Sequence, residues 1–308
     1  MEPFQLSEPF VGPEGDTILR SIDGINFYIF RTILEVASPF FRTLFSLPQP
    51  RLANGAAESM DHDDLPVVDV GEDSTALDIA LRYCYPVRKP QITDIAVVDR
   101  VLAAGLKYEI DVVVESMQSL LVTEAIMANQ PIRAYLIACK HKLRDQARAA
   151  AKATLAHSIF EFDGKELDEA PARPLLYLMR YRKVVATLLC EIFNRSGPRP
   201  EHAWDTPEDA DISLLRPPCG GTPNLGCGYA AKFWVHFLIR AVPLISEVPH
   251  TSTIFEDNFL RPISGVISEC DLCRDSHAVR MWYKNLEVTI RGVYDRTADS
   301  VHLQFDDN

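Results

Sequence analysis

The chain has 308 residues, 47% of them hydrophobic and 24% charged, which supplies a large core and excludes a wholly disordered polymer. Its formal charge of −12 repels phosphate backbones and removes the electrostatic term that dominates non-specific nucleic-acid binding. No apolar run reaches the roughly 18 residues that a bilayer-crossing helix needs, so neither nucleic acid nor membrane is an expected partner.

The first residues, MEPFQLSEPFVGPEG, hold three acids, three prolines and no basic residue, which is unlike a secretory signal. Residues 1–14 are expected to be a flexible tail and the protein to be intracellular, cytoplasmic and/or nuclear. In that compartment the seven cysteines are read as reduced thiols or metal ligands, with Cys84, Cys139 and Cys190 inside apolar patterns.

From Asp16 to Pro48 the hydrophobic period changes from two to about three and a half. Ile25, Phe27 and Ile29 alternate with Asn26, Tyr28 and Phe30, so one face of a strand is apolar. Ser21-Ile22-Asp23-Gly24 supplies the turn, and Thr17 to Arg20 is the hairpin's first strand. Ile33, Leu34 and Ala37 then take helical spacing. Ser38 caps and Pro39 opens a second helix that buries Phe40, Phe41, Leu44 and Phe45.

Arg51 to Asp64 is polar and acidic, the composition of a surface loop, and a strand and helix follow in LPVVDVGEDSTALDIALRYCYP (Leu65 to Pro86). Thr75 with Asp78 reads as a capping box, with Leu77, Ala80, Leu81 and Cys84 on the inner face and Pro86 as the stop. Further helices are predicted over Asp94 to Tyr108 (Val98, Val101, Leu102 and Leu106 inward) and Asp111 to Val122 (Val113, Met117, Leu120 and Leu121 inward). Pro131 begins another, Asp145 to Leu155 is alanine-rich, and Leu175 to Phe193 continues the pattern. Charges in Lys140 to Lys152 fall where a helix keeps a solvated face.

Arg195 to Pro218 holds five prolines in 24 residues, which marks a linker. Beyond it Ala230 to Val242, Pro262 to Cys273 and His277 to Val293 have helical periodicity. The expected order is a tail (1–14), an α+β unit (15–125), helices (126–195), the linker (196–218) and a mostly helical region (219–308).

The order strand, strand, helix, helix, with its Asp-led first strand and Ser-x-x-Phe corner, resembles the BTB (POZ) domain. The run from Leu65 to Pro86 resembles that domain's next strand and helix as written in fungal, basidiomycete-like proteins. The resemblance implies a non-enzymatic interaction module, and position alone likens residues 126–195 to the BACK-type extension of many BTB proteins. Asp16 matches the family's acidic position near the dimer interface. Arg31 matches the basic residue after a frequent histidine, whose place Phe30 takes. The pair either lines a groove between protomers or makes one partly buried ion pair. Ile33, Leu34 and Val36 are the residues expected at a two-fold contact, core packing accounting for at least one.

The short, proline-punctuated tail lacks the segment exchanged between subunits in BTB transcription factors, so a strand-swapped dimer is not expected. Many relatives recruit cullin-3 ubiquitin ligases through a hydrophobic-x-Glu element. Here only Ala56-Ala57-Glu58 comes near, with alanine too small for a hydrophobic pocket.

Gly226-Cys227-Gly228-Tyr229-Ala230-Ala231 satisfies GxGxxA, but the prolines and glycines before it cannot form the strand a dinucleotide site requires. No GxSxG, HExxH or P-loop motif is present, and the expected protein has no catalytic residues and no organic cofactor.

Cys219 and Cys227 lie eight residues apart, and Cys270 and Cys273 form a CxxC pair 43 residues later. Four thiolates in that arrangement either bind zinc, with His277 as an alternative fourth ligand, or are packed thiols. Elemental analysis separates the two. One zinc per chain, lost on mutating Cys270 and Cys273, is the outcome for a metal site. Metal-free protein whose melting ignores chelator is the outcome for packed thiols.

Overall fold

The computed structural model describes residues 6–12, 14–47, 65–159, 171–195, 229–256, 258–259, 261–262, 265 and 277–303. The chain forms two compact units, residues 1–141 and 142–308. The first is α+β and the second is helical where it is described.

In the first unit β1 (Thr17–Arg20) and β2 (Asn26–Ile29) form an antiparallel hairpin, pairing Thr17 with Ile29 and Arg20 with Asn26. Gly24 turns the chain at φ +80°, a conformation costly to any residue with a Cβ. Ser21 closes the turn from both sides, its oxygen accepting from the Ile25 N–H at 3.0 Å. β3 (Val67–Asp69) lies parallel to β1 on its other side, so the sheet order is β2-β1-β3. Leu19, Phe27 and Ile29 are fully buried, the face that period two predicts.

The helices of this unit are α1 (Arg31–Ala37), α2 (Pro39–Ser46), α3 (Ser74–Cys84), α4 (Ile95–Lys107), α5 (Asp111–Leu121), α6 (Glu124–Asn129) and α7 (Pro131–Lys140). Ser38 is the corner between α1 and α2. Its buried hydroxyl accepts from the Phe41 N–H at 3.0 Å and donates to the Tyr108 carbonyl at 2.5 Å. Tyr108 in turn stacks on Phe41 with centroids 5.0 Å apart, and Phe41 stacks on Phe45. The Tyr108 hydroxyl donates to the Glu72 carboxylate, which also takes Lys107 Nζ at 2.9 Å. Burial first, then the Glu72 carboxylate, pushes the phenol's pKa up to about 12.

Two expectations are corrected here. The α3 cap is Asp73, which accepts from the Ala76 N–H at 3.0 Å, and not Thr75. Asp23, carried in by the β1–β2 turn, takes the Ser74 N–H at 2.9 Å and the Ser74 hydroxyl at 2.6 Å, so two carboxylates serve the N-terminus of α3. Asp78 is instead held by Arg82 one turn on, at 2.8 Å. Leu106 is exposed, because Ala104 and Gly105 take the inner face of α4. A Cβ on Gly105 would stand 2.8 Å from Val113 Cγ1, so its absence lets α4 and α5 approach.

Residues 6–12, within the segment expected to be a flexible tail, are anchored. Phe10 is fully buried, edge-on to Tyr85 at 5.1 Å and 6.0 Å from Phe27, with the Arg82 guanidinium 5.5 Å from its ring. Its carbonyl accepts from the Tyr28 N–H of the edge strand, and Arg82 donates to the Ser7 hydroxyl at 2.6 Å. One aromatic of the proper size outweighs the prolines around it.

Asp99 joins α4 to the end of α7, accepting from Lys140 at 2.8 Å and lying 2.7 Å from His141 Nε2. In the second unit are α8 (Arg144–Thr154), α9 (Ala172–Arg195), α10 (Tyr229–Glu247) and α11 (His277–Ser300). Lys152 reaches Asp299 at 3.0 Å and Asp295 at 3.2 Å, and Arg148 donates to the Asp299 carbonyl. The inner face of α8 is Ala147, Ala150, Ala151 and Thr154, so the charges of Lys140 to Lys152 lie on the solvated side as expected, several of them in surface ion pairs. Buried Arg182 donates to the carbonyls of Thr154, His157 (2.7 Å) and Glu247 (3.2 Å), satisfying the ends of α8 and α10.

Removing the Ser38 hydroxyl orphans two buried backbone groups at once. Ser38→Ala should lower stability by about 2–3 kcal/mol in denaturant titration. Asp99 yields a pH signature. Burial raises its carboxyl, but the hydrogen bonds from His141 and Lys140 outweigh that and hold it below its ordinary value. A depressed folded pKa stabilises above the unfolded pKa and is lost as pH falls through the folded one. The advantage of the native chain over Asp99→Asn should therefore be full at neutral pH and fade below about pH 4.

Candidate interaction surface

Helix α1 has seven residues, too few to persist by its own hydrogen bonds. Its first amides are taken by distant groups. The Phe30 N–H donates to the Tyr85 hydroxyl at 2.8 Å, and the Arg31 N–H donates to Asp16 Oδ1 at 2.9 Å. Asp16 places a negative charge at the positive end of the helix, the role a capping side chain at Phe30 cannot fill. At the other end Arg42 Nε donates to the Glu35 carbonyl at 3.0 Å, tying α2 to α1.

Asp16 and Arg31 thus meet, through carboxylate and backbone amide. The guanidinium turns elsewhere: Nε donates to the Thr17 hydroxyl at 2.5 Å, and its carbon lies 5.4 Å from the centre of the Phe45 ring. Of the three α1 residues expected at a contact, Leu34 is fully buried and belongs to the core, Ile33 is half-buried, and Val36 is 77% exposed. Phe30, one turn before Ile33, is 44% exposed. Phe30, Ile33 and Val36 recur every third position and form one apolar stripe on the outer side of α1.

Sequence reasoning missed Phe30 as part of this stripe, although its i, i+3 relation to Ile33 and Val36 is visible in the sequence. It also missed Thr17 and Tyr85, whose contacts span 14 and 55 residues and leave no local signal.

Ala56-Ala57-Glu58 and the thiols of Cys219, Cys227, Cys270 and Cys273 lie outside the described residues. Among the described residues no group of three or more His, Cys, Asp or Glu side chains is placed to hold a metal ion. No helix among them is long and apolar enough to cross a membrane. Cys84 is largely buried, which pushes its thiol pKa up to about 12 and leaves it a poor nucleophile.

The Asp16 interaction is testable by itself. Asp16→Asn keeps an acceptor and loses the charge, Asp16→Ala loses both, and α1 should fray in that order, by about 0.5 and 1 kcal/mol. Amide exchange over residues 31–37 reads this directly.

No curated protein matches the chain. The model of the BTB/POZ domain matches residues 14–125, a span that takes in the whole three-stranded sheet, helices α1 to α5 and the start of α6. With the hairpin, the Ser38 corner and the parallel third strand in place, residues 14–125 carry a BTB/POZ domain.

Proposed function

We propose that this protein is a non-enzymatic scaffold that self-associates, or docks other proteins, through the outer stripe of α1. The exposure of Val36 on a helix already fixed from below carries the reading: the core takes Leu34, Ile33 is only half-buried, and Val36 has no internal use. BTB domains mediate protein–protein interaction, so the domain's presence supports the class of function. Asp16 and Arg31 contribute by holding α1 in place.

A homodimer built on this stripe is two-fold and self-complementary, with Phe30, Ile33 and Val36 as central anchors. An interface of ordinary size buries about 1,600 Å² in total. We read residues 126–195 as a BACK-type extension, and the protein as an intracellular one of fungal type, on resemblance and charge alone.

Light scattering across concentration tests the proposal. The native chain should move from monomer to dimer by about 100 μM, a modest affinity of roughly 5 kcal/mol or more. Val36→Asp and Ile33→Asp should stay monomeric with melting little changed. A native chain that stays strictly monomeric and loses no partner on either substitution contradicts it.

A further inference from the structure

Residues 6–12 lie outside every helix and strand, yet they are tied to the sheet and to α3. Ser21 donates to the Ile25 carbonyl and Asp16 to that of Ile29, so the odd positions of β2 bond to β1 and the Tyr28 N–H points away from it. The Phe10 carbonyl accepts from that N–H at 3.1 Å. Arg82 donates to the Ser7 hydroxyl at 2.6 Å and to the Ser7 carbonyl at 3.4 Å, and the Phe10 ring is fully buried between Phe27 and Tyr85.

Tyr85 faces two ways. Its ring meets Phe10 edge-on, 5.1 Å between centroids at 84°, and its hydroxyl accepts from the Phe30 N–H at 2.8 Å. Phe30 is the residue that opens α1, and its own side chain provides no cap. The hydroxyl reaches that amide only while the ring is held in its present orientation. Without Phe10 one edge of Tyr85 borders a gap the size of a phenyl ring, and the packing that fixes its rotamer is lost on that side.

We infer that residues 6–12 are a strap that sets the order of α1: Phe10 is a positioning residue for the Tyr85 ring, and Tyr85 in turn holds the opening amide of α1. With the strap down, Phe30, Ile33 and Val36 stand on a fixed helix. A partner that withdraws the Phe10 side chain loosens the helix and weakens whatever α1 docks. That consequence rests on the reading of α1 as the docking surface, while the link from Phe10 to Phe30 does not.

Amide exchange of the full chain, followed by NMR in dilute solution where α1 is uncovered, tests the link. Tyr85→Phe keeps the ring and loses the hydroxyl; Phe10→Ala empties the site, and Phe10→Leu is a milder variant that keeps most of its apolar volume. Tyr85→Phe and Phe10→Ala should each speed exchange at Phe30 about tenfold, Phe10→Leu less, and the double variant Phe10→Ala, Tyr85→Phe no more than either alone. Exchange in α4 and α5 should keep its native rate. A ring that adds only buried area gives a different result, rates that multiply in the double variant or rise equally over α4 and α5, and either would overturn the inference. So would native exchange at Phe30 in both Phe10 variants. Light scattering then separates the link from its consequence. A native chain that pairs through α1 should pair about three- to tenfold more weakly in Phe10→Ala and in Tyr85→Phe alike. Unchanged pairing beside faster exchange contradicts the strap's control of docking, and a native chain that never pairs or docks through α1 removes the reading of α1 while the exchange result still decides the link.

Discussion

A helix of seven residues does not hold itself in water, and the most exposed apolar stripe of this domain sits on one. Its position depends on charge and hydrogen bonds supplied from outside: the Asp16 carboxylate and the Tyr85 hydroxyl at the N-terminal amides, and the Ser38 corner beneath. Each of those groups belongs to a different part of the domain. Asp16 leads the first strand, Tyr85 ends α3, and Tyr108, which receives the Ser38 hydroxyl, ends α4. The sheet and helices converge on a small element and make it rigid. A rigid apolar stripe loses little entropy when it is covered, which suits it to the proposed interface.

The same economy recurs elsewhere in the first unit. Helix ends are satisfied across long sequence separations: Asp23 reaches Ser74, and Asp99 gathers Lys140 and His141. These contacts explain why the period of the apolar residues is enough to place the strands and most helices, and Ser38 is legible as a cap, while the α3 cap is not. Phe27 and Ile29 had to face inward because alternation leaves no other choice, and Ser38-Pro39 announces a helix start locally. Asp73 in place of Thr75 could not be told from the sequence, since both are good caps and the tie is broken by Asp23 from 51 residues away.

Gly105 hides the inner face of α4 from its sequence for a different reason. A residue with no side chain leaves a gap in the apolar pattern, and Leu106 beside it looked like the better inner position. Phe10 is the converse case. Prolines and acids around it read as a solvated tail, and nothing local shows that Phe27, Tyr85 and Arg82 leave a place for one more ring. Of the candidate surface, Ile33, Leu34 and Val36 were legible as a group. Their division into one core residue and two outer ones was not, because a seven-residue helix gives the period too few turns to resolve its faces.

In the proposed function α1 is covered when this protein meets its partner or its own copy. Amide hydrogen exchange of the native chain, followed as concentration rises, tests it most directly. The account predicts that residues 31–37, slow to fray but exposed on their outer side, gain protection with concentration while other surface helices do not. Exchange at α1 that stays constant while a different face becomes protected would contradict it.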